Sequence, residues 1–143
     1  MTKEEQNMDA SEVVAVKWHS VRAMGAEMIN HEMVEAAYAQ PRLRQFLPSV
    51  SHGSLQFSRC TESPWTRDIP ALFPSGGGGY VVIRMDEPND SERHQVGWVE
   101  TLEEAAALIV AEIPAEWGPA IHGTADDVFS RRDGTDRGPG PVR

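Results

Sequence analysis

The stretch SHGSLQFSRCTESPWTRD, from Ser51 to Asp68, gathers a histidine, an arginine, the only cysteine of the chain, a tryptophan and an aspartate. Imidazole moves protons near neutral pH, a thiol can act as a nucleophile, guanidinium forks onto carboxylates, and indole offers a flat apolar wall. Where His52, Arg59, Trp65 and Asp68 converge, they supply a proton-transfer group, an anion fork and an aromatic wall, the parts of a small-molecule pocket. On that reading His52 and Arg59 are the candidate catalytic residues. Ser51, Arg59, Cys60, Trp65 and Asp68 are the candidate ligand-binding set. A plainer reading has Ser51 and His52 hydrogen-bond a turn in which Gly53 takes a positive φ.

Spacing limits the chemistry. His52 and Cys60 resemble a nucleophile and its base, but eight extended residues span about 26 Å, whereas a base must lie about 3 Å from its thiol. A base for Cys60 would come from another element, such as His94 or His122. Buried free cysteines are usually inert. The five histidines show no metal-ligand spacing and one cysteine cannot build a zinc knuckle. No metal site or cofactor is therefore expected. The run Gly76–Gly79 precedes an apolar segment of strand type, not a helix, so it suits a turn better than a phosphate loop.

The elements that would hold these residues read as follows. Asp9 and Glu12 form a capping box, and Val14, Trp18, Val21, Gly25 and Met28 recur at helical spacing, which predicts a helix from Ala10 to Ile29. Asn30 caps a second helix over Glu32–Ala39, with His31 a surface or capping residue at the junction. Pro41 opens a short helix, PRLRQFL, that Pro48 stops. From Ser54 the period becomes two. Leu55, Phe57 and Arg59 point one way, and Gln56, Ser58 and Cys60 the other. Arg59 thus lies at the edge of the buried face or is a buried arginine in need of a partner, and Asp68 is the nearest candidate. A long loop spans Thr61–Gly79, with IPALF as a local extended piece. Tyr80–Met85 and His94–Val99 make a strand hairpin, and a second capping box, Thr101 with Glu104, starts the last long helix. The order predicts an α+β domain, a small antiparallel sheet of about three strands covered on one face by two or three helices. The expected domain covers residues 9–129, between disordered segments 1–8 and 130–143.

The 143 residues carry a net charge of -9, which repels nucleic-acid phosphates. No apolar run reaches the roughly 20 residues of a membrane helix, and the acidic N-terminus is unlike a signal peptide. A cytoplasmic protein with no nucleic-acid or membrane partner is expected. Charge is uneven. Arg93 is the single Lys or Arg between Asp86 and Asp127, while Arg42, Arg44, Arg59 and Arg67 face only Glu62 and Asp68 between Gln40 and Asp68. That basic stretch is either solvated and paired or a seat for a small anionic ligand.

Residues 41–74, PRLRQFLPSVSHGSLQFSRCTESPWTRDIPALFP, resemble the central signature of a bacterial family of small proteins described as natural product biosynthesis proteins. The matching residues are Ala37, Pro41, Leu43 and Arg44, then S-H-G-x-L-x-F-S-R-C-T over Ser51–Thr61, then Pro64, Trp65, Asp68 and Pro70. Phe46 is shifted by one before Pro48. The resemblance implies an association with specialised-metabolite pathways and carries over no reaction or catalytic residue. Three functions are compatible with these features. One is an accessory protein that binds a small molecule or a pathway enzyme. The second is a small cofactor-free isomerase, cyclase or hydrolase with His52 as acid/base. The third is an acidic interaction or antagonist module.

Overall fold

The computed structural model describes residues 9–130; of the segments expected to be disordered, 1–8 and 130–143, all but Ser130 lie outside them. Helix α1 (Ala10–Arg22) begins with both halves of the Asp9/Glu12 capping box in place. It buries Val14, Trp18 and Val21 as the periodicity predicts. It stops seven residues earlier than expected, just before Gly25, a residue poorly suited to helix interiors. Met28 is consequently exposed, and Ile29 enters the core instead. Helix α2 (His31–Tyr38) is capped by the Asn30 side chain. His31 Nε2 stands 3.1 Å from the Arg22 carbonyl oxygen at the end of α1, which makes it a capping residue. Helix α3 is only Pro41–Arg44.

The sheet has five strands where about three were expected: β1 (Leu47–Ser51), β2 (Ser54–Ser58), β3 (Ala71–Pro74), β4 (Tyr80–Ile83) and β5 (Gln95–Val99). It is an antiparallel meander in the order β1-β2-β3-β4-β5. The two additional strands have specific causes. Pro48 does not merely stop a helix. It lies in β1, at the sheet edge, where a residue without N–H is tolerated. The piece IPALF supplies β3, the central strand, with Leu72 between Leu55 and Val82. Helix α4 (Leu102–Ala111) starts at the expected Thr101/Glu104 capping box.

The helices cover one face of the sheet. Leu55, Phe57, Leu72 and Val82 on that face share a single core with Trp18, Met33, Val34 and Ile109. Trp18 is fully buried, meets Tyr38 edge-on at 5.3 Å, and donates from Nε1 to the Phe46 carbonyl oxygen. The opposite face carries the cross-strand row Phe73, Val81 and Trp98.

The glycine run is the β3–β4 hairpin loop. Ser75 and Gly79 close it through the Ser75 N–H to the Gly79 carbonyl, and Gly78 donates to the Ser75 carbonyl. Gly78 and Gly79 have φ of 105° and 75°. The Trp98 indole lies over Gly79 and donates to the Gly78 carbonyl oxygen, so a Cβ on Gly79 would clash with the ring. Gly76 and Gly77 face open space. Gly79→Ala is therefore expected to cost more than about 1 kcal/mol in urea unfolding, while Gly77→Ala leaves the midpoint nearly unchanged. Equal effects would show that the indole does not pin this loop.

Candidate functional site

The strand direction separates the residues that the sequence places close together. His52 and Gly53 form the two-residue turn between β1 and β2, because Ser51 pairs with Ser54. Both have positive φ, 52° and 79°, the pattern of a tight hairpin turn with matching twist. The His52 ring is exposed, and its Nδ1 stands 3.2 Å from Ser51 Oγ. From that tip, β2 carries the chain to Arg59 at the other end of the sheet, on the order of 20 Å away. Ser51 and His52 therefore do not join Arg59, Trp65 and Asp68. The expected four-way convergence does not form: Arg59 meets Asp68, Trp65 shares a cleft with Asp68 that Arg59 does not line, and His52 stands apart.

Arg59 and Asp68 do meet, and the register explains it. Leu55 pairs with Leu72. Four residues further along from Leu55 and four residues back from Leu72, the same alignment sets Arg59 opposite Asp68. Arg59 Nη1 donates to Asp68 Oδ2 at 2.7 Å. On its other side, the guanidinium lies 3.6 Å from the centre of the Trp117 ring. The two charged side chains are only 11% and 20% exposed. Asp68 Oδ1 is buried and has no hydrogen-bond partner among the described residues. Trp117 is held from below. Arg42 donates from Nη1 to the Trp117 carbonyl and from Nη2 to the Pro114 carbonyl.

The residues between Arg59 and Asp68 form a hydrogen-bonded knot. Ser58 Oγ accepts from the backbone N–H groups of Cys60 and Thr66. Thr66 Oγ1 accepts from the Arg59 N–H at 2.8 Å. Cys60 is fully buried, and its Sγ faces the carbonyl oxygens of Glu62 and Pro64, partners for an S–H donor. A second segment clips the loop from outside. Arg59 and Thr61 exchange backbone hydrogen bonds with Ile121, Glu62 donates to the Gly123 carbonyl, and Thr61 Oγ1 accepts from the Gly123 N–H. His122 reaches Thr61 through Nδ1 at 3.2 Å. Cys60 thus sits inside a backbone-satisfying network rather than on a surface.

What the knot presents outward is a cleft of about 600 Å³, lined by Trp65, Thr66, Arg67, Asp68, Asp86, Trp117 and Phe129. Trp65 and Phe129 are 39% and 41% exposed, high for such large apolar side chains. A second, polar cavity of about 170 Å³ adjoins it and shares Asp68 and Asp86. Arg84, Arg93, Glu87 and Glu112 complete much of its wall. Those arginines are engaged. Arg84 pairs with Glu112 at 2.8 Å and donates to the Arg93 carbonyl. Arg93 pairs with Glu87 at 3.0 Å. The hydrogen bonds from Arg93 and then Ser91 hold the Glu87 carboxyl below the ordinary carboxylate range. No ion pair within 4 Å involves Asp86 or Arg67 among the described residues.

Of the residues expected to form a pocket, Trp65 and Asp68 line this cleft and Arg59 does not; Arg67, Asp86, Trp117 and Phe129 line it without having been expected there. Only the tryptophan of EWGP carried a signal, as a large aromatic beside a turn. The four arginines of the basic stretch do not form one patch. Arg42 holds the Pro114–Trp117 turn, Arg44 lies 4.9 Å from the Tyr38 ring centre, and Arg59 is paired. Among the described residues, no group of three or more His, Cys, Asp or Glu side chains stands close enough to hold a metal ion. No helix among them is long and apolar enough to cross a membrane.

Two substitutions test this geometry. Arg59→Met strands a largely buried carboxylate and is expected to cost about 3 kcal/mol. Asp68→Asn in that background should recover a large part in urea unfolding, and strictly additive losses would deny the coupling. His52→Asn places a residue more tolerant of positive φ in the turn. It should hold or raise the melting temperature, and a drop of several degrees would assign His52 a contact beyond the turn.

A model of a family of unknown function, DUF6193, matches residues 12–124. No curated protein matches the chain. No solved structure matches it either.

Proposed function

We propose that this chain, which belongs to the DUF6193 family of unknown function, is a small-molecule-binding protein whose ligand occupies the cleft between Trp65, Trp117 and Phe129. The observation that carries this reading is the cleft itself. Its volume of about 600 Å³ lies within the range of ligand sites. Three of its lining residues are aromatic, and Thr66, Arg67, Asp68 and Asp86 add polar and charged groups. Large aromatic side chains left partly open around a concavity are the usual sign of a surface awaiting an apolar body. The resemblance to natural product biosynthesis proteins supports an intermediate of specialised metabolism as the occupant and an accessory role for the protein.

Catalysis through His52 draws no support from the geometry, because the ring stands at the opposite end of the sheet from the cleft. The acidic-module reading has one observation in its favour. Glu32, Glu35, Glu100 and Glu103 line a separate cleft between the start of α2 and the start of α4.

Native mass spectrometry after incubation with a producing-cell extract, followed by isothermal titration of the retained compound, tests the proposal. Wild type should retain a low-molecular-weight ligand, and saturating ligand should raise the melting temperature by linkage. Trp65→Ala should weaken binding at least about tenfold with unfolding unchanged, whereas His52→Ala and Glu103→Lys bind as wild type. Retention that survives Trp65→Ala would remove the ligand from this cleft. Retention lost only in Glu103→Lys would favour the acidic cleft.

A further inference from the structure

We infer that the protein has a second ligand site, independent of the aromatic cleft: an apolar pocket beside Arg44 and Gln45 that seats a small apolar monocarboxylate. The pocket shares no lining residue with the aromatic cleft. One wall is a face of α1, where Ser11, Val14, Ala15 and Trp18 follow at the three- and four-residue spacings that stack side chains along a helix. Ser11 and Ala15 contribute little bulk to that face. Tyr38, Pro119 and Ala120 supply the remaining apolar wall. The Ala120 N–H donates to the Gln45 backbone carbonyl at 3.1 Å, which ties two sides of the pocket together. Trp18 spends its Nε1 on the Phe46 carbonyl oxygen, so it offers a guest only its ring. At about 230 Å³ the pocket falls below the roughly 300 Å³ at which drug-sized sites begin, which limits the guest to a short chain or a single ring.

The polar groups fix the ligand's sign. Among the described residues no Asp or Glu lines the pocket, although the chain has 22 of them against 13 Lys and Arg. Arg44 is the one charged residue on it, exposed and without an ion pair among the described residues. Its guanidinium lies 4.9 Å from the Tyr38 ring centre. Stacking of this kind uses the flat face of a guanidinium and leaves the N–H fork in its plane free for a carboxylate. A separate observation points the same way. Gln45 Nε2 is a buried amide donor with no acceptor among the described residues. Apolar walls give it none, and an unmade hydrogen bond there is costly. The terminal torsion of a glutamine is broad, so a turn of the carboxamide brings its NH2 to a carboxylate that the adjacent Arg44 holds. An ammonium group would meet a like charge and no counter-charge.

Octanoate, octanol and octylamine, each titrated into the full chain at pH 7 and followed by NMR, test the assignment. Octanoate should bind at least about tenfold more tightly than octanol, octylamine more weakly than either, and octanoate should shift the Trp18 indole and Gln45 side-chain amide resonances. Arg44→Gln should remove the advantage of octanoate and leave octanol unchanged. Gln45→Leu should weaken octanoate while holding or raising the urea midpoint, because it removes an unpaired buried donor. Ala15, exposed on α1, becomes a plug in Ala15→Leu, which should abolish binding of octanoate and octanol with unfolding unchanged. Trp65→Ala should bind as wild type. Octylamine binding as well as octanoate, or an Arg44→Gln variant that keeps the octanoate advantage, would overturn the carboxylate assignment. Octanoate that survives Ala15→Leu and is lost in Trp65→Ala sits in the aromatic cleft, and this pocket is then no site. If none of the three probes binds, the second site falls, and the aromatic cleft is untouched because no residue is common to both.

Discussion

One side chain, Arg59, fixes the end of the sheet on which the rest of the site is built. It leaves β2 on the core-facing side, where an unpaired guanidinium would be severely desolvated. It is tolerated because three conditions hold together. The β2–β3 alignment brings Asp68 opposite it, Trp117 covers its flat face, and Arg42 anchors the backbone of the turn that carries Trp117. The loop from Cys60 to Arg67 must therefore leave the sheet and return within a few residues. Trp65 and Thr66 ride on that excursion, and the cleft opens over it.

Such an excursion creates a problem of backbone satisfaction. A loop folded against a sheet end takes its N–H and C=O groups out of water, and each needs a partner. Small hydroxyl and thiol side chains answer that need locally. Ser58, Thr61 and Thr66 are buried polar residues, and each accepts from a backbone N–H of this loop or of the segment that clips it. Cys60 fills the same space with a weak donor aimed at carbonyl oxygens. The S-R-C-T string that looks like reactive chemistry is thus mainly an internal scaffold, and the residues left for a ligand are those the scaffold pushes outward.

What could be read in advance follows from how local the determining physics is. Both capping boxes were legible because a cap is set by four consecutive residues. The Arg59–Asp68 pair was legible from strand parity alone, since period-two alternation put Arg59 with Leu55 and Phe57. β1 was hidden because Pro48 has the same appearance as a helix stop and as an edge-strand residue. β3 was hidden because the three residues between Pro70 and Pro74 carry too little alternation to declare a strand. His52 was misplaced because closeness in sequence means distance in space along an extended chain. Trp117, Asp86 and Phe129 come to the cleft from three separate segments, and no pattern within one window can report such a meeting.

Most arginines of the basic stretch are engaged within the fold, and the reason is general. A guanidinium near a core is stable only when a carboxylate or carbonyl engages it, so arginines placed close to a buried loop are drawn inward and matched. Arg42 and Arg59 show this directly. Carboxylates outnumber the available partners in this chain of net charge -9, so some remain unmatched after the structural pairs are made. Asp86, with no ion pair among the described residues, is part of that remainder, and it falls where the two cavities join. A basic stretch of sequence thereby leaves one of its arginines, Arg67, on the cleft beside Asp68 and Asp86.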